Sequence, residues 1–152
     1  MSLYLVQHGR NLPKDQDPEQ PLSDEGRNEV ENIAEVAAGY GVSVAVIEHS
    51  PKLRAQQTAE IFSTFLKPDQ GPREREGIKA LDDVTAIAGK LRAGDNRMLV
   101  GHLPFMERLA AYLIAGRQDP RVIKFQNGGI VCLDCEEEGG WFVKWALMPH
   151  IG

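Results

Sequence analysis

Short blocks of unbroken apolar residues recur along the chain, each followed by a polar step and then by a stretch whose apolar residues return at helical spacing. The blocks are Leu3-Tyr4-Leu5-Val6, Val44-Ala45-Val46-Ile47 and Met98-Leu99-Val100-Gly101. A strand with one wet face alternates apolar and polar residues, so blocks without alternation predict strands covered on both sides, as in a parallel sheet. Between the first two lies a polar loop, Asn11 to Pro21, with prolines at 13, 18 and 21. Ser23 then reads as an N-cap with Asp24 and Glu25 in the positive first turn, and Val30, Ile33, Ala34 and Ala37 form one apolar face up to a stop at Gly39 to Gly41. After the second block, Ser50 as N-cap and Pro51 at the first helical position predict a helix carried by Leu53, Ala55, Ala59, Ile61 and Phe62 to about Leu66.

The remainder continues the alternation. Lys67 to Glu76 reads as a polar connection. Asp82 or Asp83 opens a third helix with Val84, Ile87, Ala88 and Leu91 on one side. Pro104 opens a fourth, through about Ala115, directly after the third apolar block. Gly129 to Asp134 and Trp141 to Met148, around the acidic turn Glu136 to Gly140, predict a β-hairpin. The expected architecture is α/β: a three-layer αβα sandwich with a mostly parallel sheet and a C-terminal hairpin, in a single domain spanning residues 1–152.

Charge narrows the partners. Seventeen Lys plus Arg against 22 Asp plus Glu give a net charge of −5, with no basic block. That argues against nucleic acid or an anionic membrane as the main ligand. No apolar run approaches a spanning length and the N-terminus lacks the features of a signal peptide, so a cytoplasmic location is expected. The two cysteines form a C-x-x-C, Cys132 and Cys135, inside a predicted strand. Residues three apart on a strand face opposite sides, which predicts packing roles rather than a metal or redox pair.

In open α/β sheets, ligands bind beyond the carboxyl ends of the strands. His8, His49 and His102 each follow one of the three apolar blocks, and two helices begin just behind them, so exposed backbone N–H groups converge with imidazoles at one end of the sheet. Arg54, one turn into the second helix, adds a guanidinium suited to bidentate phosphate binding. Two chemistries fit: three histidines holding a metal that activates water, or one histidine attacking a phosphoryl group while the arginine and a second histidine stabilise charge. Spacing does not decide between them.

Four segments, however, resemble the histidine phosphatase (phosphoglycerate mutase-like) superfamily in order and spacing: Leu5-Val6-Gln7-His8-Gly9, Pro21-Leu22-Ser23-Asp24-Glu25-Gly26, Ser50-Pro51-Lys52-Leu53-Arg54-Ala55-Gln56-Gln57-Thr58-Ala59 and Val100-Gly101-His102-Leu103-Pro104. The short chain and the His-Leu-Pro resemble its SixA-type phosphohistidine phosphatase branch. The resemblance implies that His8 is a nucleophile that becomes a phosphohistidine, that Arg54 and His102 bind the phosphoryl oxygens, and that no metal or other cofactor takes part. It implies no catalytic role for His49.

Gln7 stands where the family motif has arginine. An amide can donate, but it lacks the charge and the two-pronged fork. A charge-assisted hydrogen bond of about 1.5–3 kcal/mol corresponds to roughly 10- to 100-fold in rate. Arg10, on the adjacent loop, is the candidate replacement. Asp82 is the candidate proton donor, among Glu74, Glu76, Asp82 and Asp83, although a phosphohistidine substrate, whose leaving group is an imidazole, relaxes the need for one. The leading expectation is therefore a phosphatase acting through phospho-His8 on phosphohistidine in a signalling or phosphotransfer protein. The alternatives are a small-molecule phosphomonoesterase and, because of Gln7, a non-catalytic phospho-ligand binding protein.

Overall fold

The computed structural model describes residues 1–151. Its strands are β1 (Leu3–Gln7), β2 (Val46–His49), β3 (Gln70–Glu74), β4 (Arg97–Gly101), β5 (Ile130–Cys135) and β6 (Trp141–Leu147). Its helices are α1 (Asp24–Gly39), α2 (Leu53–Leu66), α3 (Val84–Ala88) and α4 (Phe105–Ala115). The strands form one sheet in the order β3-β2-β4-β1-β5-β6. The first four run parallel, and β5 and β6 add the antiparallel hairpin.

The lack of alternation in the apolar blocks has the expected cause. Along β1, Tyr4 and Val6 enter one buried cluster with Val30, Ile33 and Phe62 of α1 and α2. Leu3 and Leu5 enter the other, with Ile87 and Leu109 of α3 and α4. Both faces are thus dry and the architecture is a three-layer αβα sandwich. Burial of each such side chain contributes about 1.5–3 kcal/mol, which is why every position of Leu3 to Val6 is apolar.

Four sequence expectations shift. The β2 ladder starts at Val46 rather than Val44, because pairing begins where Arg97 and Gln70 become available on its two sides; Val44 is buried ahead of it. Helix α2 starts at Leu53 with Lys52 at the cap position and no side-chain cap, so Ser50 and Pro51 precede it. The stretch expected as a connection contains β3, an edge strand paired only to β2. Its residues are exposed or half-buried and include Pro72. Such a strand gains its hydrogen bonds from a neighbour and needs no apolar pattern, and its proline is tolerable because it lies on the edge. Asp83, not Asp82, caps the five-residue α3. Leu91 is buried beyond the end of that helix.

Candidate active site

The sheet order sets the site. Strand β4 lies between β2 and β1, so His102, which follows β4, stands between Ser50 beyond β2 and His8 beyond β1. The ladders continue one step past the strands: the His8 N–H donates to the Gly101 carbonyl at 2.9 Å and the Ser50 N–H to the Val100 carbonyl at 3.0 Å. The rings of His8 and His102 lie side by side, tilted by 56° with centroids 5.0 Å apart, about the spacing of neighbouring strands.

The backbone around His8 is fixed from several directions. Asn127 Nδ2 donates to the His8 carbonyl at 2.9 Å. The Gly128 N–H donates to the Gln7 carbonyl at 2.8 Å. The Gly9 N–H donates to Thr58 Oγ1 at 2.9 Å, and Thr58 in turn donates to the Arg54 carbonyl at 2.8 Å. Thr58 therefore links the turn that holds His8 to the helix that carries Arg54. The element Leu22-Ser23-x-x-Gly26 secures the loop from its other side. Gln57 Oε1 accepts from the Leu22 N–H, the Ser23 N–H donates to the Arg10 carbonyl, and Ser23 Oγ caps the Gly26 N–H at 3.0 Å.

The His8 ring has a defined chemical state. Its Nδ1 lies 2.7 Å from the Gly9 carbonyl; a carbonyl only accepts, so Nδ1 carries the proton and Nε2 the lone pair. Burial pulls its pKa down to about 4, with the nearby charge of Arg54 acting in the same direction. His102 falls to about 3, through burial and then the proximity of His8, Arg54 and Lys52. Both imidazoles are neutral at pH 7. Arg54 is half-buried, and desolvation lowers its pKa. Unlike Arg10, Arg73, Arg75, Arg97 and Arg121, it has no ion-pair partner among the described residues. A neutral nucleophilic nitrogen, a second imidazole and an uncommitted guanidinium near the start of a 14-residue helix form a receptor for a tetrahedral anion.

The other candidate residues lie as follows. Gln7 is half-buried at the end of β1, and its Oε1 is buried without a hydrogen-bond partner. Arg10 is committed elsewhere: its guanidinium pairs with Glu29 at 2.8 Å and Glu25 at 3.3 Å and touches His150 Nε2. Serving a phosphoryl group would require it to leave both carboxylates. Asp82 lines a cavity of about 470 Å³ that begins at Pro51 and also contains Glu74, Glu76, Lys79 and Asp83. Its Oδ2 accepts from the Lys79 N–H at 2.9 Å. His49 is buried, with Nδ1 donating to the Ser50 carbonyl. Among the described residues no group of three His, Cys, Asp or Glu side chains converges as a metal would require. Cys132 is buried and Cys135 half-buried, both as free thiols. No helix among the described residues is long and apolar enough to cross a membrane.

Ser50 and Asn127 are site residues that local reading missed. Ser50 looked like a helix cap, and Asn127 arrives from 119 residues away with no motif to mark it.

The model of the histidine phosphatase superfamily, branch 1, matches residues 3–82. The chain belongs to the histidine phosphatase superfamily. Along its whole length the resemblance is to the SixA branch of that superfamily. It is 26% identical over 155 aligned residues to the phosphohistidine phosphatase SixA of Escherichia coli strain K12, covering 98% of this chain and 94% of that protein. The solved structure of the protein histidine phosphatase SixA complexed with tungstate matches with a TM-score of 0.82 at 26% identity, covering 98% of this chain and 97% of the other. A phosphoglycerate mutase from Plasmodium falciparum shares the fold, with a TM-score of 0.68 at 18% identity over 95% of this chain and 88% of its own. As a histidine phosphatase of phosphoglycerate mutase-like fold, the protein is a phosphatase-class hydrolase.

Proposed function

We propose that this histidine phosphatase removes phosphoryl groups from phosphohistidine carried on a signalling or phosphotransfer protein, through a covalent phospho-His8. The observation that carries the reading is the state of His8: Nδ1 bound to the Gly9 carbonyl and a pKa pulled down to about 4 leave Nε2 an uncharged nucleophile at neutral pH. Nε2 bonds to phosphorus as the bond from phosphorus to the substrate imidazole breaks, and the released imidazole takes its proton from solvent or from Asp82. Water then attacks phospho-His8, which yields inorganic phosphate and returns His8. Arg54, His102 and the Gln7 amide offset charge on the equatorial oxygens. A phosphohistidine substrate fits a site in which no carboxylate touches His8 or His102, because an imidazole leaves more readily than an alkoxide. The full-length similarity to SixA supports the same substrate class.

The test is a single-turnover experiment with a phosphohistidine protein and with p-nitrophenyl phosphate. The wild type should form an acid-labile, alkali-stable phosphoenzyme and release phosphate, and His8→Ala should do neither. Preference for p-nitrophenyl phosphate would favour a small-molecule phosphomonoesterase. Near-zero rates in both proteins, with retained phosphate binding, would favour the non-catalytic binder that Gln7 first suggests.

A further inference from the structure

We propose that Ser50 is a positioning residue that fixes His102 in its Nδ1–H tautomer, so that this ring meets the phosphoryl group as a neutral N–H donor. The proposal rests on the phosphatase reading above but concerns a residue which that reading does not use. Ser50 is fully buried and His102 is 4% exposed. Ser50 Oγ lies 2.5 Å from His102 Nε2, and the other polar group near it is the Lys52 N–H, 3.4 Å away.

Hydrogen-bond accounting decides the direction. The Lys52 amide can only donate, so it occupies a lone pair of Oγ. The Ser50 hydroxyl proton then has one acceptor among the described residues, His102 Nε2. The reverse arrangement, Nε2–H donating to Oγ, would leave a fully buried hydroxyl proton without a partner, which native structures avoid. Nε2 is therefore the acceptor, and the single proton of a neutral ring sits on Nδ1. The ring is neutral because burial, together with His8, Arg54 and Lys52, takes its pKa to about 3. His102 Nδ1 makes no hydrogen bond to the described residues, so its proton remains for an incoming oxygen. Ser50 is held in place for this task by its own N–H on the Val100 carbonyl, two residues before His102.

The experiment pairs ring-nitrogen NMR of the ¹⁵N-labelled protein with steady-state kinetics on phosphohistidine. His102 signals are assigned by difference from His102→Gln. In the wild type, His102 Nε2 should resonate as an unprotonated nitrogen and Nδ1 as a protonated one. Ser50→Ala should mix or reverse the two and lower kcat about 10- to 100-fold with a smaller change in KM. Ser50→Thr, which keeps the hydroxyl, should restore the tautomer and most of the rate. A wild-type spectrum with Nε2 protonated overturns the proposal, as does a Ser50→Ala protein with unchanged tautomer and kcat. If Ser50→Ala does not fold, the wild-type spectrum alone still decides. The spectrum does not depend on turnover, so an inactive wild type would count against the phosphatase reading and not against the tautomer.

Discussion

Gln7 occupies the position where the family pattern has arginine, and its surroundings show what the exchange removed. Its backbone is held as firmly as that of its neighbours, by Gly128, while the side-chain Oε1 is buried and unpartnered. Placing the amide there thus leaves one polar atom unsatisfied and removes a fixed positive charge. Restoring it with Gln7→Arg should raise kcat/KM about 10- to 100-fold, equivalent to a charge-assisted bond of about 1.5–3 kcal/mol, and should tighten binding of phosphate or tungstate measured by calorimetry. No gain in either quantity would show that the pocket already draws sufficient charge from Arg54 and the α2 N-terminus.

The lowered pKa of His8 gives a second expectation for a single residue. With a folded value of about 4 against about 6.5 in the unfolded chain, the unfolded state binds the extra proton between these values. The stability that depends on keeping His8 neutral is complete above pH 6.5 and is lost as pH falls through about 4, an effect of about 3 kcal/mol for this shift. Urea denaturation at stepped pH should show that decline on top of the one His102 contributes in the same direction, and His8→Ala should reduce the total by the His8 part. On the proposed mechanism, in which the neutral ring attacks phosphorus, the acid limb of kcat/KM should correspondingly lie near pH 4. An acid limb near 6.5 would mean that His8 is wetter than the structure shows. The histidines at the strand ends and Arg54 were legible because imidazole and guanidinium carry recognisable chemistry in short motifs. Ser50, though it heads the same motif as Arg54, reads there only as a cap, and Asn127 lies in no motif; the contacts that give them a role come from His102 and His8, far off in sequence.

Among the elements, α1 was readable to the residue: Ser23 caps it, and Val30, Ile33, Ala34 and Ala37 are its buried face. Its first turn also explains Gly26. A Cβ there would lie 2.0 Å from the Arg10 carbonyl oxygen, because the loop after His8 lies directly on the helix start. Gly26→Ala must push that backbone away, at a cost of about 2 kcal/mol or more, and should lower activity by moving the His8 turn. Gly39, in the same helix, has open space around its Cβ position. Gly39→Ala is the control and should leave the thermal melting curve unchanged or slightly raised. Strand β3 was illegible for a reason of its own. Polar, exposed and containing a proline, Gln70 to Glu74 has nothing in its composition that says strand. Only the free edge of β2 makes it one.

For the molecule as a whole, the edge at β2 and β3 depends on an ion cluster that local sequence does not announce. Glu48 is 5% exposed and accepts from Arg73, Arg75 and Arg97, drawn from β3, the segment just after it, and β4. Burial by itself would raise its pKa, but hydrogen bonds from Arg75 and Arg97 outweigh that and hold it below the usual carboxylate value. Glu48→Gln leaves three partly solvated arginines facing an uncharged amide and should cost about 1.5–3 kcal/mol, the range for hydrogen bonds to a charged group. Equilibrium urea unfolding measures this. A loss under 1 kcal/mol would mean that solvent already screens the cluster.

The sequence by itself determined the layers and the chemistry on offer. Unbroken apolar blocks bounded by turn signals point to strands dry on both faces, helical spacing supplies the covering helices, and the motifs name His8, Arg54 and His102. Tertiary structure decided what those groups are. The order β2-β4-β1 sets His102 between Ser50 and His8, burial keeps the two imidazoles uncharged, and Glu25 and Glu29 engage Arg10. Local sequence encodes periodicity and side-chain type, whereas tautomer, charge state and ion-pair partner depend on atoms that meet only when strands distant in the chain become neighbours in the sheet.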